Sequence, residues 1–323
     1  MMNFRNTRRW MVLASVAAAA CTASLGAHAQ ASVVKVVVPF PAGGVTDLLA
    51  RLLSEGMSKQ LNQTFIVENR PGAGGRIGID LVAKAPADGS TILFTNSSYS
   101  ILPVVEPKIA FDPTKALAPV SMISTYGLQM LVRKDLPANN LPEFIDYAKK
   151  NPGKLSYGSA GMGSGTHFAG EYFKSLTGTF LVHIPYKSTN GALNDVAGGL
   201  LDFAIDGASK PLVDAGKVKL IAVTGSKRDA RFPTTPTAAE AGLKDYVMES
   251  WAGFLAPPGT PQAAIDRLNR AAAATLQDPA VQKRFAELGM APEGGPASRM
   301  GAVIKDELAL YRKMAKDANL KFE

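Results

Sequence analysis

The chain has 323 residues, a formal charge of +8, 46% hydrophobic residues and one cysteine, Cys21, which is enough chain for two medium domains or one large one built on its own core. The positive charge is spread thinly, with no basic cluster interleaved with aromatic residues, and this argues against nucleic acid as a partner. Cys21 falls within the leader described next, so the mature chain is expected to hold neither a disulfide nor a thiol nucleophile.

Residues 1–29 read as a secretory signal. Arg5, Arg8 and Arg9 precede an apolar run over 10–20, and Ala27-His28-Ala29 supplies the small-x-small pattern of a cleavage site. The mature protein should start near Gln30, lie in the periplasm and carry about +5 once the three arginines are gone. Residues flanking Arg8-Arg9 match a twin-arginine signal only loosely, which places ordinary export ahead of it. Ala18 stands where a lipid-attachment site around Cys21 usually wants leucine, so no lipid anchor is expected. The apolar run is too short to span a membrane, and no later segment is long enough without interruption.

After the leader, 34–38 reads as a buried strand, Pro39, Pro41, Gly43 and Gly44 as a turn, and a helix opens at Thr46 or Asp47 and runs to 61. Glycines leave the turn's amides uncovered, and a helix start offers unpaired N–H groups and a positive dipole end. Together they make a cradle for a carboxylate or phosphate. The same pattern also serves as a plain strand-to-helix connection.

A second strand over 64–67 leads into a glycine-rich loop, 68–78, whose Gly72, Gly74, Gly75 and Gly78 miss the dinucleotide spacing by one residue. A short helix over 77–85 and a third strand over 91–94 follow, the strand running into Thr95, Asn96, Ser97 and Ser98. Ligands of open α/β sheets sit beyond the carboxyl ends of the strands. Ser97 and Ser98 there either donate to an anion or cap the helix that follows. Residues 103–119 read as irregular, and strands over 120–124 and 128–132 mark passage into a second domain.

A helix over 141–150 precedes a second strand, glycine-serine turn and helix start in 157–173, with Gly163, Ser164, Gly165, Thr166 and His167 as the second cradle. Two cradles in two halves of the chain suggest a cleft. His167 and Glu171 share a helix face, yet no third metal ligand is apparent. Ser164 lacks the nucleophile-elbow pattern, and His167 is too near in sequence to serve it as a base. A strand over 183–185, a helix over 190–198 and strands over 202–206 and 218–223 follow, with Asp206 at a carboxyl end facing the same edge, as a ligand contact or a helix cap. A strand over 249–255 leads back to the first domain, and helices over 261–276, 279–288 and 296–317 are expected to cover the first sheet. The domain reading is 30–127 with 251–323 for the first and 128–250 for the second.

In order and spacing, PFPAGGVTDLLAR (39–51), VENRPGAGGRIG (67–78), ADGSTILF (87–94), GSGTHFAGEYF (163–173) and PYK (185–187) resemble the substrate-binding proteins of tripartite tricarboxylate transporters, the Bug or TctC family. The resemblance spans the mature chain. It implies an α/β, two-lobed periplasmic binding protein fold of type II, with two mixed sheets flanked by helices and a ligand cleft between the lobes. It further implies a carboxylate held largely by backbone amides and ordered water. By motif position this falls on Phe40, Ala42, Gly43, Gly44, Thr46 and Asp47 in one lobe, and on Gly163, Ser164, Gly165, Thr166 and His167 in the other. Ser188 stands where the family usually has glycine after PYK, and Phe168 where leucine is common, which bears on the ligand and not on the fold.

The expected function is capture of a small di- or tricarboxylate, aromatic ones included, and its delivery to the transporter's membrane permease subunits. The protein would act as a monomer without cofactor or metal. An exported hydrolase or transferase using the same cleft is the rival reading, and every candidate acid, base, nucleophile or metal set fails it on spacing.

Overall fold

The computed structural model describes residues 33–322 apart from 107, 108, 110, 208 and 289. The signal, its cleavage site and Cys21 lie outside the described residues. Within them the chain builds two sheets. The first has β1 (Val33–Val38), β2 (Thr64–Asn69), β3 (Thr91–Asn96), β4 (Ala118–Gly127), β10 (Glu249–Ala256) and β11 (Ala291–Pro292), in the order β11-β4-β10-β3-β1-β2. The second has β5 (Gln129–Arg133), β6 (Ser156–Ser159), β7 (Val182–Pro185), β8 (Phe203–Asp206) and β9 (Val218–Val223), in the order β7-β6-β8-β5-β9.

Both sheets are mixed. β1 pairs in parallel with β2 and β3, and β10 runs antiparallel to β3 and β4. In the second sheet β6 is parallel to β7 and β8, while β5 is antiparallel to β8 and β9. β3, TILFTN, is buried on both faces, as a strand crossed over by helices must be. Leu49, Leu53 and Met57 of the Val45–Leu61 helix are fully buried against Val36, Phe94 and Phe254. The Phe94 and Phe254 rings meet edge-on at 4.7 Å. Phe144, Phe168, Phe173 and Phe203 fill the second core, each contributing about 1.5–3 kcal/mol by burial.

The chain changes sheet at Gly127–Leu128 and again at Met248–Glu249. Thr224 ties the two passages together: its hydroxyl accepts from the Leu128 amide at 2.9 Å and donates to the Met248 carbonyl at 2.5 Å. A Cβ on Gly127 would lie 2.8 Å from the Gly225 amide nitrogen, so only glycine lets these backbones approach so closely.

Three features depart from the sequence reading. Residues expected to be irregular from 103 are helical through Ser98–Val105, with Pro103 inside the helix. Ser98 to Pro103 are all buried, and tertiary packing there overrides propensity. The strand expected over 120–124 extends over the ten residues of β4, because β10 pairs along it. The last helix, Ala297–Asp317, does more than cover the first sheet. Met300 and Ile304 pack with Leu93 and Trp251, while Tyr311 and Met314 belong to the second core. Twenty-one residues span about 30 Å, enough to cross from one core to the other. No helix among the described residues is long and apolar enough to cross a membrane.

Candidate ligand-binding cleft

The first cradle is braced by Asp47. Its carboxylate accepts from the Gly43 amide at 3.0 Å, from Asn69 Nδ2 at 2.9 Å and from Arg51 Nε at 3.1 Å. Asn69 also donates to the Phe40 carbonyl at 3.0 Å. Burial works against the charged form, but the bonds from Arg51, Gly43 and Asn69 outweigh it and hold this carboxyl below the usual carboxylate range. Asp47 therefore shapes the turn that a ligand would meet.

The helix it precedes begins without a cap. Gly44 sits at the N-cap with φ −78° and ψ 167°, and no side chain bonds the first-turn amides. Val45, Thr46 and Asp47 line the cleft, so this helix start opens directly onto it. The Thr46 hydroxyl accepts from Asn96 Nδ2 at 3.1 Å, and Asn96 Oδ1 accepts from the Ser98 amide at 3.0 Å.

The second cradle is organised differently. The Ser164 hydroxyl caps its own helix, accepting from the His167 amide at 3.2 Å and donating to the Gly161 carbonyl at 2.7 Å. The Gly165 amide donates across the cleft to the Ser98 hydroxyl at 3.1 Å. Thr166 Oγ1 accepts from the Ala160 amide at 2.9 Å. The amides of Gly163, Ser164, Gly165 and His167 and the Ser164 hydroxyl thus already have protein partners, and the two cradles are not equivalent.

Of the residues expected at the ligand, Phe40, Gly44, Thr46 and Asp47 line the cleft from the first loop, and Ser97 and Ser98 from the end of β3. Ser164, Gly165, Thr166 and Asp206 line it from the second half of the chain. Ala42, Gly43, Gly163 and His167 are outside its wall. His167, 2% exposed, stacks on His183 at 4.3 Å and takes a bond on Nδ1 from the Gly163 amide. Burial, reinforced by the facing His183, pushes its pKa down to about 4, so it supports the loop as a neutral ring.

Sequence reasoning missed two groups. Lys187, Ser188 and Thr189 bring a third helix start, Thr189–Ala197, to the cleft, again without a side-chain cap. The Ser-Thr pair ahead of that helix was the available signal. Tyr126, Leu128, Met248, Glu249 and Ser250 line the end where the chain changes sheet, a place no local motif marks. The cleft encloses about 850 Å³, its open mouth included.

Glu171, the partner considered for His167 in a metal site, accepts instead from the Tyr157 hydroxyl and pairs with Lys174 at 2.8 Å. Among the described residues no group of three or more histidine, cysteine, aspartate or glutamate side chains could hold a metal ion. Ser159, bonded to His183 Nε2 at 2.7 Å, is fully buried outside the cleft wall.

Two mixed sheets flanked by helices, with a cleft entered by three helix starts, make the two-lobed fold of a periplasmic binding protein. Residues 49–320 match the family model described as the tripartite tricarboxylate transporter family receptor, TctC, and the chain belongs to that family. It is similar to the periplasmic binding protein BugD, at 35% identity and a TM-score of 0.85 over 90% of this chain and 98% of that one. Rpa4515 of R. palustris, solved with adipate, is 36% identical with a TM-score of 0.85, covering 89% and 97% of the two chains. MatC of Rhodopseudomonas palustris, solved with bound malate, is 32% identical with a TM-score of 0.84, covering 87% and 98%.

Proposed function

We propose that this is a periplasmic receptor that closes two lobes, 30–127 with 251–323 and 128–250, around a small carboxylate. It then delivers the ligand, as a monomer, to the membrane permease subunits of a tripartite tricarboxylate transporter. The observation that carries the reading is the uncapped helix start at Gly44, facing a cleft walled by both sheets. Its amides, the Thr46 and Thr166 hydroxyls, the Ser188 and Thr189 turn and bridging water hold the carboxylate. Similarity to proteins solved with adipate and malate supports a carboxylate ligand. The family's transporter membership supports the permease partner.

A thermal-shift panel of mono-, di- and tricarboxylates, aromatic ones included, tests the ligand class. A receptor gains melting temperature with its ligand. No shift with any carboxylate contradicts the reading. Mass spectrometry of the periplasmic protein should give an N-terminus near Gln30, and a lipid-modified Cys21 would contradict the export route proposed.

A further inference from the structure

At the end where the chain changes sheet, a buried carboxylate lines the cleft. Asp206 stands at the carboxyl end of β8, is 6% exposed and faces the cleft. Glu249, the first residue of β10, borders the cleft from the other sheet, but its carboxylate accepts from the Ser226 amide at 3.0 Å and the Ser226 hydroxyl at 2.7 Å. A pocket built only to attract anions has no use for the Asp206 carboxylate, which repels a ligand carboxylate nearby and favours a cation or donor.

The segment that carries Asp206 is fixed from both sides. Gln129 of β5 pairs with Asp206 in the sheet. On the cleft side the Tyr126 ring lies against Gly207, where an added Cβ would come within 3.1 Å of it. Behind, Arg231 donates to the Gly207 carbonyl at 3.2 Å and pairs with Asp229 at 2.7 Å, both side chains under 10% exposed. Gln129 joins this network, donating to Asp229 at 2.9 Å and accepting from Ser209 at 3.2 Å. Burial pushes the Tyr126 phenol up to about 12, with the Ser250 hydroxyl pulling the other way and the Asp206 charge adding to the rise. A carboxylate offers about four acceptor sites, so Asp206 can serve the fold and still accept from a ligand.

We propose that Asp206 selects among carboxylates by accepting a hydrogen bond from an ammonium or hydroxyl group that the ligand carries beside its carboxylate. The cleft then takes an amino or hydroxy acid in preference to the unsubstituted acid. This rests on the carboxylate reading above. A bound metal cation as the counter-charge is disfavoured, because no group of three ligating side chains occurs among the described residues.

The test is titration calorimetry with two series on one carbon skeleton each: succinate, malate and aspartate, then glutarate, 2-hydroxyglutarate and glutamate. The native protein should bind the substituted acids of at least one series about tenfold or more tighter than the parent, the worth of a hydrogen bond to a charged group. In Asp206→Asn that ratio should fall to within about threefold. Parent acids that bind the native protein as tightly as the substituted ones overturn the proposal, as does a ratio unchanged in Asp206→Asn. If the variant does not fold, the native ranking alone decides. A native protein that binds none of the six, nor adipate or benzoate, fails the carboxylate reading itself, and selection falls with it.

Discussion

The Ser98 hydroxyl accepts a hydrogen bond from the Gly165 amide at 3.1 Å, joining the end of a strand in one sheet to the helix start of the other. If the lobes close as proposed above, this bond favours the closed arrangement. Ser98→Ala should therefore weaken ligand binding by about 1 kcal/mol, roughly fivefold, while changing the melting temperature of the free protein little. Calorimetry with whichever carboxylate binds best measures it, and unchanged affinity would show that the bond does not favour closure.

Thr224 makes a second prediction. It is fully buried, and its hydroxyl bonds both passages between the sheets. Thr224→Val keeps the shape but leaves the Leu128 amide and the Met248 carbonyl without that partner. Chemical denaturation should show a loss of about 1–3 kcal/mol. A loss under about 0.5 kcal/mol would mean the passages hold together without it.

Glu307 predicts a pH effect. Its carboxylate accepts from Trp251 Nε1 at 2.6 Å, and desolvation in that position raises its pKa from 4.5 to about 7 against the pull of its hydrogen bonds. Between those values the folded protein keeps a proton that the unfolded chain has released. Its contribution to stability is therefore full below about pH 4.5, declines as the pH rises to about 7, and is flat beyond. The decline amounts to about 3 kcal/mol at most. Glu307→Gln should flatten the fall in melting temperature across that window, and an identical pH profile would sink the assignment.

Much of this was legible because the signals are local. Alternating or continuous apolar runs mark the strands, and Gly43-Gly44 and Ser164-Gly165 mark the two helix starts that meet at the cleft. What stayed hidden depends on contacts distant in sequence. Asp47 lines the cleft as expected of its loop, but that Asn69 and Arg51 brace its carboxylate is written nowhere near it in the sequence. His167 reads as part of the cradle until His183 draws it beneath the loop. The cleft residues Tyr126 and Met248–Ser250 come from strands with no motif, and their role follows only from where the chain changes sheet. The last helix was assigned to one sheet because periodicity reports which face is apolar, not which core that face meets. Tyr311 and Phe322 both meet Phe168, at 5.3 Å and 5.8 Å.

In the proposed binding mode, backbone amides at the Gly44 helix start grip the ligand carboxylate, with charge in a minor role. Gly44 already has N-cap dihedrals, and a Cβ there would meet nothing within 4 Å. Gly44→Asp can therefore place its own carboxylate over the amides that the ligand needs, giving the helix the cap it lacks. Lys187, exposed at the cleft, supplies the contrast. Titration calorimetry of Gly44→Asp and Lys187→Ala beside the native protein decides between them. The expected result is a folded Gly44→Asp, with melting temperature equal or higher, that no longer binds, and a Lys187→Ala weakened by less than about tenfold. Retained binding in Gly44→Asp together with its loss in Lys187→Ala would contradict it and assign the grip to an ion pair.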